Sequence, residues 1–517
     1  MLKLLNCAAM LSGMCLASGA VAEPLPTAGV PALLRWTIMP RTDQSVPLST
    51  TVFSADHPLW TFDLAKAGYV EEEYLIEGKG NTYPAGTGWF ADRFGFGQTD
   101  SVAKSNVRYV TRMIVRRPID AAKFSGSIFL EPIRDETEWY TTYLKAAPFF
   151  MRRGDVWVGF SMSKEDISSH FQKYDAKRYA KLSIPDNSLR WDIMAQTAWL
   201  ARSPEGPLGK AGFIDRAKQV PGGLRVYSSG WSLTGCMQQY FINSGHHARA
   251  RTPEGGPVID GYLTGICPLA EAVQVPSDAP VIQVESENEY MPILTRLGGA
   301  APARQSDGNG PRYRFRWYDI AGTSHIDLSD LPKYSVVWTQ LGTYDANKAV
   351  TDCAEPTADV SGKDHFVPAV LSNLDRWVRF GEAPPPSATF LLDSDNSIRR
   401  DKLGNAMGGV RPYWIAAPQG HVSPETDDTP AKKANPTPGL RVCGMLTHIE
   451  AMPERDLKLL YPTPDVMKAT AETQIEYLVK QRYLLPEEAE LDLEKILSTP
   501  FGDLRLDLSI GRKPRQP

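Results

Sequence analysis

Apolar and β-branched residues along this chain fall in short runs that alternate with stretches of helical period. That order is expected of an α/β fold with a largely parallel sheet. "VRYVTRMIV" (107–115) and "GSIFLEP" (126–132) read as strands, and "ETEWYTTYLKAAPFFMRRG" (136–154) then reads as a helix closed by Gly154. The alternation continues through "DVWVGFSM" (155–162), "DNSLRWDIMAQTAWLARS" (186–203) and "LRVYSSG" (224–230). A helix beginning near Ser232 follows. Its apolar positions at Leu233, Cys236, Met237, Tyr240 and Phe241 are spaced by three and one, as on the buried face of a helix. Three further strands are expected at "VIDGYLTG" (258–265), "PVIQVES" (280–286) and "YRFRWYDIAG" (313–322). The helix "FVPAVLSNLDRWVRFG" (366–381) ends at Gly381 before "APPPS". Residues 382–440 are rich in Pro, Gly and Asp, and "PEEAELDLEKILSTP" (486–500) reads as a terminal helix packed on the surface. Within 382–440, "DSDNSIRRD" resembles a calcium loop but lacks its sixth-position glycine and twelfth-position glutamate, so a plain loop is expected.

Composition narrows the function classes. A chain of 517 residues with a net charge of −4 and only short basic runs offers no nucleic-acid surface. The first residues, "MLKLLNCAAMLSGMCLASGAVAEPLP", have a charged start at Lys3, a short apolar stretch and the small-x-small site Ala20-Val21-Ala22. They read as a secretory leader cut after Ala22, which predicts export to the periplasm or the extracellular space. No later window carries the roughly 20 apolar residues a membrane span needs. The expected organisation is a leader at 1–22, a catalytic core at 23–381 and a C-terminal extension at 382–517 packed on the core. Export leaves four cysteines in an oxidising compartment, and proximity along the chain favours the pairs Cys236–Cys267 and Cys353–Cys443, with buried free thiols as the other reading. Their spacing matches no zinc pattern, and the chemistry that the motifs below point to needs neither a metal nor an organic cofactor, so none is expected.

The stretch "VYSSGWSLTGCMQQYF" (226–241) carries the strongest chemical signal. A nucleophile elbow needs a strand, a sharp turn bearing the serine, and a helix, with small residues where backbone segments meet. "LRVYSSG" supplies the strand, Gly230 the small residue two before Ser232, and the apolar period the helix. Thr234 stands where the second glycine is usual, with Gly235 one place late. Ser161, in "GFSMS", also ends a strand, but the charged "KEDISSHFQKYD" after it lacks a clean apolar stripe. Ser324 suits a turn.

In the α/β-hydrolase fold the partners follow in the order serine, acid, histidine, each from a loop after a later strand. "VIQVESENEY" ends a strand in Glu285, Glu287 and Glu289, and "WYDIAGTSHIDL" ends the next with His325. Glu287 is the favoured acid, because Glu285 falls within the strand and Glu289 in the following turn. The expected oxyanion donors are the backbone N–H of Leu233 and one from the loop after "GSIFLEP", at Ile133 or Arg134. The aromatic segments "ETEWYTTY" and "NTYPAGTGWF" are candidates for lining an apolar pocket, with packing in the core or loops the favoured reading for each residue.

With these residues in place, the chain resembles a sparsely characterised family of exported, mostly bacterial α/β-hydrolase-domain proteins. The likeness runs through "EEEYLIEGKGNTY", "YVTRMIVRRPIDAAKFSGSIFLEP", "SSGWSLTGCMQQYFINSG", "VIQVESENEY", "DIAGTSHID", "LDRWVRFGEAPPPS", "GNAMGGVRPYWIAAP" and "LKLLYPTPDVM". Family elbows carry a small residue where Thr234 stands. The resemblance implies an α/β-hydrolase fold with a mainly parallel sheet flanked by helices, and a Ser232, Glu287, His325 triad. It does not extend to tannases, feruloyl esterases or glucuronoyl esterases, whose neighbours to the serine differ from Trp231 and Leu233. The expected activity is cleavage of a small-molecule carboxylic ester through an acyl-enzyme. Amide or peptide cleavage on the same machinery, and a hydrolase-like scaffold that binds a ligand without turnover, are the alternatives.

Overall fold

Strands β4 (Ser127–Pro132), β5 (Val156–Phe160), β6 (Arg225–Trp231), β7 (Gly261–Gly265) and β8 (Val281–Ser286) are buried along almost their whole length. Such continuous burial is the mark of parallel strands covered on both faces. The computed structural model describes residues 33–40, 64–87, 95, 101–133, 140–167, 171–267, 273–276, 278–290, 304–327, 330, 363–423 and 446–498. The expected leader, and Cys353 and Cys443 with it, lie outside these residues.

The strands join β1 (Leu33–Met39), β2 (Tyr69–Thr82), β3 (Lys104–Pro118), β9 (Gly308–Gly310) and β10 (Tyr313–Ile320) in one sheet, ordered β1-β2-β3-β5-β4-β6-β7-β8-β10-β9. The run β5-β4-β6-β7-β8-β10 is parallel throughout. β1, β2 and β3 add on antiparallel at one end and β9 at the other. The sheet order jumps from β5 to β4 to β6, so the loops after β4 and β6 open side by side at the carboxyl edge. Ligands in open α/β sheets bind at that kind of switch point.

Helices α1 (Thr141–Arg153), α2 (Arg190–Arg202), α3 (Leu233–Asn243) and α4 (Val367–Phe380) cover the sheet. Each lies within the segment where the apolar period places it. In α4 the buried positions Val367, Val370, Leu371, Leu374 and Trp377 form one stripe against β7, and burying Leu374 contributes about 2 kcal/mol. β2 is the long strand that hydrophobic patterning underrates. Its glutamates make cross-strand ion pairs with β3, among them Glu71 Oε2 with Arg116 Nε at 2.9 Å and Glu72 Oε1 with Arg117 Nη2 at 2.7 Å. The aromatic residues that the sequence left between pocket and core go to the core where they are described. Tyr140 and Tyr143 pack on Trp157 with the Arg116 guanidinium over all three rings, and Tyr83 packs edge-on to His246.

The segment after α4 lies along the outer edge of β10. Ala388 bridges to Tyr318 and Val410 to Ile320, both parallel, while β9 pairs only with residues 313–315. Its "DSDNSIRRD" stretch folds on itself through a Leu392–Ile398 bridge. Beyond it, α5 (Pro464–Lys480) and α6 (Pro486–Ser498) pack together. Arg152 Nη2 to Glu488 Oε1 at 2.6 Å and His365 Nδ1 to Asp492 Oδ1 at 2.8 Å tie α6 to the core. Among the described residues no helix is long and apolar enough to cross a membrane.

Candidate active site

β6 runs straight into α3 with only Ser232 between them, and that residue adopts φ +55° and ψ −124°. A non-glycine residue in this region is strained, and such strain persists only where the surroundings impose it. Here they do. The Ser232 N–H donates to Gly265 O on β7 at 2.9 Å, while its carbonyl accepts the Cys236 N–H at 2.9 Å and starts the helix. A Cβ on Gly230 would lie 2.2 Å from Thr234 O, and one on Gly235 would lie 2.2 Å from Gly265 O. Clearance is therefore needed at Gly235 rather than at Thr234. Thr234 closes the turn, its hydroxyl accepting from Trp231 N at 2.8 Å and donating to Trp231 O at 2.9 Å. Cys236, in the first turn of α3, is disulfide-bonded to Cys267 just past β7, with the Cα atoms 5.2 Å apart.

His325 comes from the turn after β10. Ser232 Oγ and His325 Nε2 lie 2.9 Å apart, both residues half-buried, and His325 Nδ1 donates to Glu289 Oε1. Glu289, not Glu287, is thus the carboxylate on the imidazole, which corrects the sequence expectation. The reason lies in where β8 ends. The strand stops at Ser286 and residues 287–290 turn helical. At about 100° per residue, Glu287 and Glu289 face nearly opposite sides of that turn. Glu287 is buried and accepts the Gly322 N–H at 2.8 Å and an Arg400 Nη1–H at 2.6 Å. Glu285 remains in the strand, accepting from Gln283 Nε2 at 2.8 Å. Burial, reinforced by the nearby Glu289 charge, pushes its carboxyl well above the usual carboxylate range.

The oxyanion expectation divides. Leu233 opens α3, so its N–H is one of the first four that helical geometry leaves without an intrahelical partner. Ile133 cannot serve, because its N–H is spent on Phe160 O at 3.0 Å, continuing the β4–β5 pairing, and its side chain is fully buried. Arg134 lies outside the described residues. Ser161 is buried at the end of β5 with its N–H on Arg112 O, and the Ser324 hydroxyl pairs with that of Thr447.

The turn bearing His325 is braced by a buried charge cluster that sequence reasoning missed. Lys145 of α1 reaches Asp327, Asp330 Oδ2 at 2.7 Å and Asp364 Oδ1 at 3.0 Å. Lys363 Nζ binds Asp327 Oδ1 at 2.7 Å and the Ser324 carbonyl. The three aspartates are close enough to share a metal ion, but the Lys145 ammonium already stands among them as their cation. The one sequence signal is Asp327, two residues beyond His325. At the foot of α1, buried Glu131 accepts the Thr142 and Tyr143 N–H groups and Trp157 Nε1–H, and burial pushes it up to about 7.

The sequence matches the Alpha/beta hydrolase domain family over residues 30–493. A search of curated proteins finds no match. Solved structures similar to this chain include an α/β serine hydrolase without a lid from Xanthomonas campestris, at 13% identity over 45% of this chain and 88% of that one, with a TM-score of 0.24. They also include a cold-adapted esterase from an Arctic intertidal metagenomic library, at 10% identity over 53% and 90%, with a TM-score of 0.24. A third is a dienelactone hydrolase from Anabaena variabilis, at 12% identity over 45% and 89%, with a TM-score of 0.25. The family match over most of the chain agrees with the sheet order and with the strand-turn-helix at Ser232. The chain belongs to the Alpha/beta hydrolase domain family.

Proposed function

We propose that this protein is an exported serine hydrolase that cleaves carboxylic esters through an acyl-enzyme. The observation that carries the reading is Ser232 Oγ at 2.9 Å from His325 Nε2, on a strained elbow, with Glu289 holding the other ring nitrogen. In this reading the His325 Nε2 lone pair takes the Ser232 proton as Oγ adds to the ester carbonyl carbon. The Leu233 N–H supports the oxyanion, and Glu289 stabilises the imidazolium and holds its tautomer. Collapse of the tetrahedral intermediate breaks the bond to the alkoxy oxygen, which leaves with the proton from Nε2. Water, deprotonated by the same nitrogen, then releases the acid and restores Ser232. The Cys236–Cys267 disulfide supports export, since such bonds persist in oxidising compartments.

Intact-mass labelling with a fluorophosphonate tests the reading. One adduct is expected on the wild type, none on Ser232→Ala, and much slower labelling of His325→Ala. Parallel ester and amide panels fix the bond cleaved. Amide turnover without ester turnover would overturn the ester reading, and a folded wild type that takes no label would favour a scaffold without chemistry.

A further inference from the structure

The segment after α4 does more than lie beside the site. Four of its contacts converge on the two turns that carry Glu289 and His325. Ala321 N donates to Val410 O at 3.0 Å, and Val410 N donates to Asp319 O at 2.7 Å. These bonds pair the segment with the end of β10 and the first residue of the turn after it. A Cβ on Gly322 would lie 2.6 Å from Ile415 Cδ1, so the short helix Tyr413–Ala416 is seated directly against the turn. Thr447 meets the Ser324 hydroxyl. The fourth contact is a charged relay. Arg400 Nη1 donates to Glu287 Oε1 at 2.6 Å, and Glu287 Oε2 accepts the Gly322 N–H at 2.8 Å.

This relay crosses from the segment to the acid turn and from the acid turn to the histidine turn. The Glu287 side chain is only 1% exposed, and a buried carboxylate must be paired or hydrogen-bonded on its lone pairs. Its two oxygens are divided between one cation and one backbone N–H. The Asn288 N–H reinforces the same junction by donating to Thr323 O at 3.2 Å. Glu287 therefore fixes the separation of Gly322 from the helical turn 287–290. His325 and Glu289 lie three and two residues further along those same two turns. Their alignment with Ser232 depends on that separation.

We propose that Arg400, acting through Glu287, is a positioning residue for the His325–Glu289 pair, so that the segment after the core forms part of the machinery that orients the catalytic base. This rests on the hydrolase reading above. Arg400 acts through Glu287 rather than on the reacting atoms. Its guanidinium holds the Glu287 carboxylate aimed at Gly322, and its other bond, to Gly404 O at 3.0 Å, anchors it in its own hairpin.

The test compares wild type, Arg400→Ala, Arg400→Lys, Glu287→Gln and the double variant Glu287→Gln/Arg400→Ala on one ester. Arg400→Ala is expected to lower kcat about 10- to 100-fold with KM within about twofold, because a misaligned base slows chemistry without loosening substrate. Arg400→Lys, which still donates to Glu287, should recover most of the loss. The double variant should be no worse than the poorer single, as for two residues acting in one chain. A loss confined to KM would make Arg400 a substrate contact, and unchanged kinetics or strictly additive losses would remove the relay. Amide hydrogen exchange at Gly322 reads the same device whether or not Ser232 turns over. Faster exchange in Arg400→Ala than in wild type is expected, and equal protection overturns the proposal. A wild type that neither labels nor turns over would refute the hydrolase reading, and the exchange result would still decide whether Arg400 holds the turn.

Discussion

On the proposed mechanism, replacing Glu289 by Gln would keep an acceptor beside His325 Nδ1 while removing the charge that faces the imidazolium as Ser232 loses its proton. The two side chains are 16% and 15% exposed, so their surroundings are neither bulk water nor dry interior. For unit charges about 4 Å apart at an effective dielectric constant of about 20, the interaction is about 4 kcal/mol. Since about 1.4 kcal/mol corresponds to a tenfold rate change, Glu289→Gln should lower kcat/KM about 10³-fold. Glu287→Gln is the control for charge and burial. It retains an acceptor for Gly322 and leaves the His325–Glu289 bond in place, so its loss should stay nearer tenfold, the cost of a small misalignment. The assay is kcat/KM on a short-chain p-nitrophenyl ester at neutral pH, using variants whose melting is first shown to be cooperative. A Glu289→Gln enzyme within tenfold of wild type would refute the assignment, as would a Glu287→Gln enzyme that loses more than Glu289→Gln.

Two further predictions concern the scaffold. Asp375 of α4 gathers Ser127 Oγ, Tyr227 Oη, Arg153 Nη2 and Arg379 Nε, and although burial opposes ionisation, Arg153 and Arg379 hold its carboxyl at about 2. A folded-state pKa below the unfolded value of about 4 gives stability that is present above pH 4 and lost as pH falls through 2, here about 2 kcal/mol. Urea unfolding between neutral pH and pH 3 should therefore show a shallower acid loss in Asp375→Asn than in wild type, and equal slopes would contradict the pairing. The Cys236–Cys267 disulfide spans a sequence separation of 31. By loop-closure entropy, reduction or paired Cys→Ser substitution should cost about 3–4 kcal/mol, read as a lower urea midpoint, and an unchanged midpoint in reductant would refute the bond's contribution.

Much of the site was legible because its signals are local. A buried strand, a small residue where backbone meets backbone and a helix of apolar period are each decided within a few positions, and at Ser232 all three coincide. The order of later strands then singled out His325. What failed was what depends on the last residue of a strand or on a hydrogen bond made across the fold. Glu287 and Glu289 are both carboxylates at the end of β8. Only the change from strand to helical turn at Ser286 decides which faces the imidazole. Ile133 sits in the expected loop, yet its N–H is consumed by Phe160, a pairing invisible along the chain.

The extension divides the same way. Its terminal helix α6 follows from a pattern within 486–500, and the sequence marks 382–440 as turn-rich. Nothing in either stretch says that Arg400 meets a carboxylate 113 positions away, or that Val410 continues the pairing of β10 where β9 has ended. Element type, the order of strands and the elbow serine were determined by the sequence itself, since they rest on local propensity and the periodicity of burial. Which carboxylate meets the His325 imidazole, the bonding of the Ile133 N–H and the brace around His325 were decided only in the folded chain. They depend on which donors and acceptors remain once distant strands have paired and buried charges have found their partners.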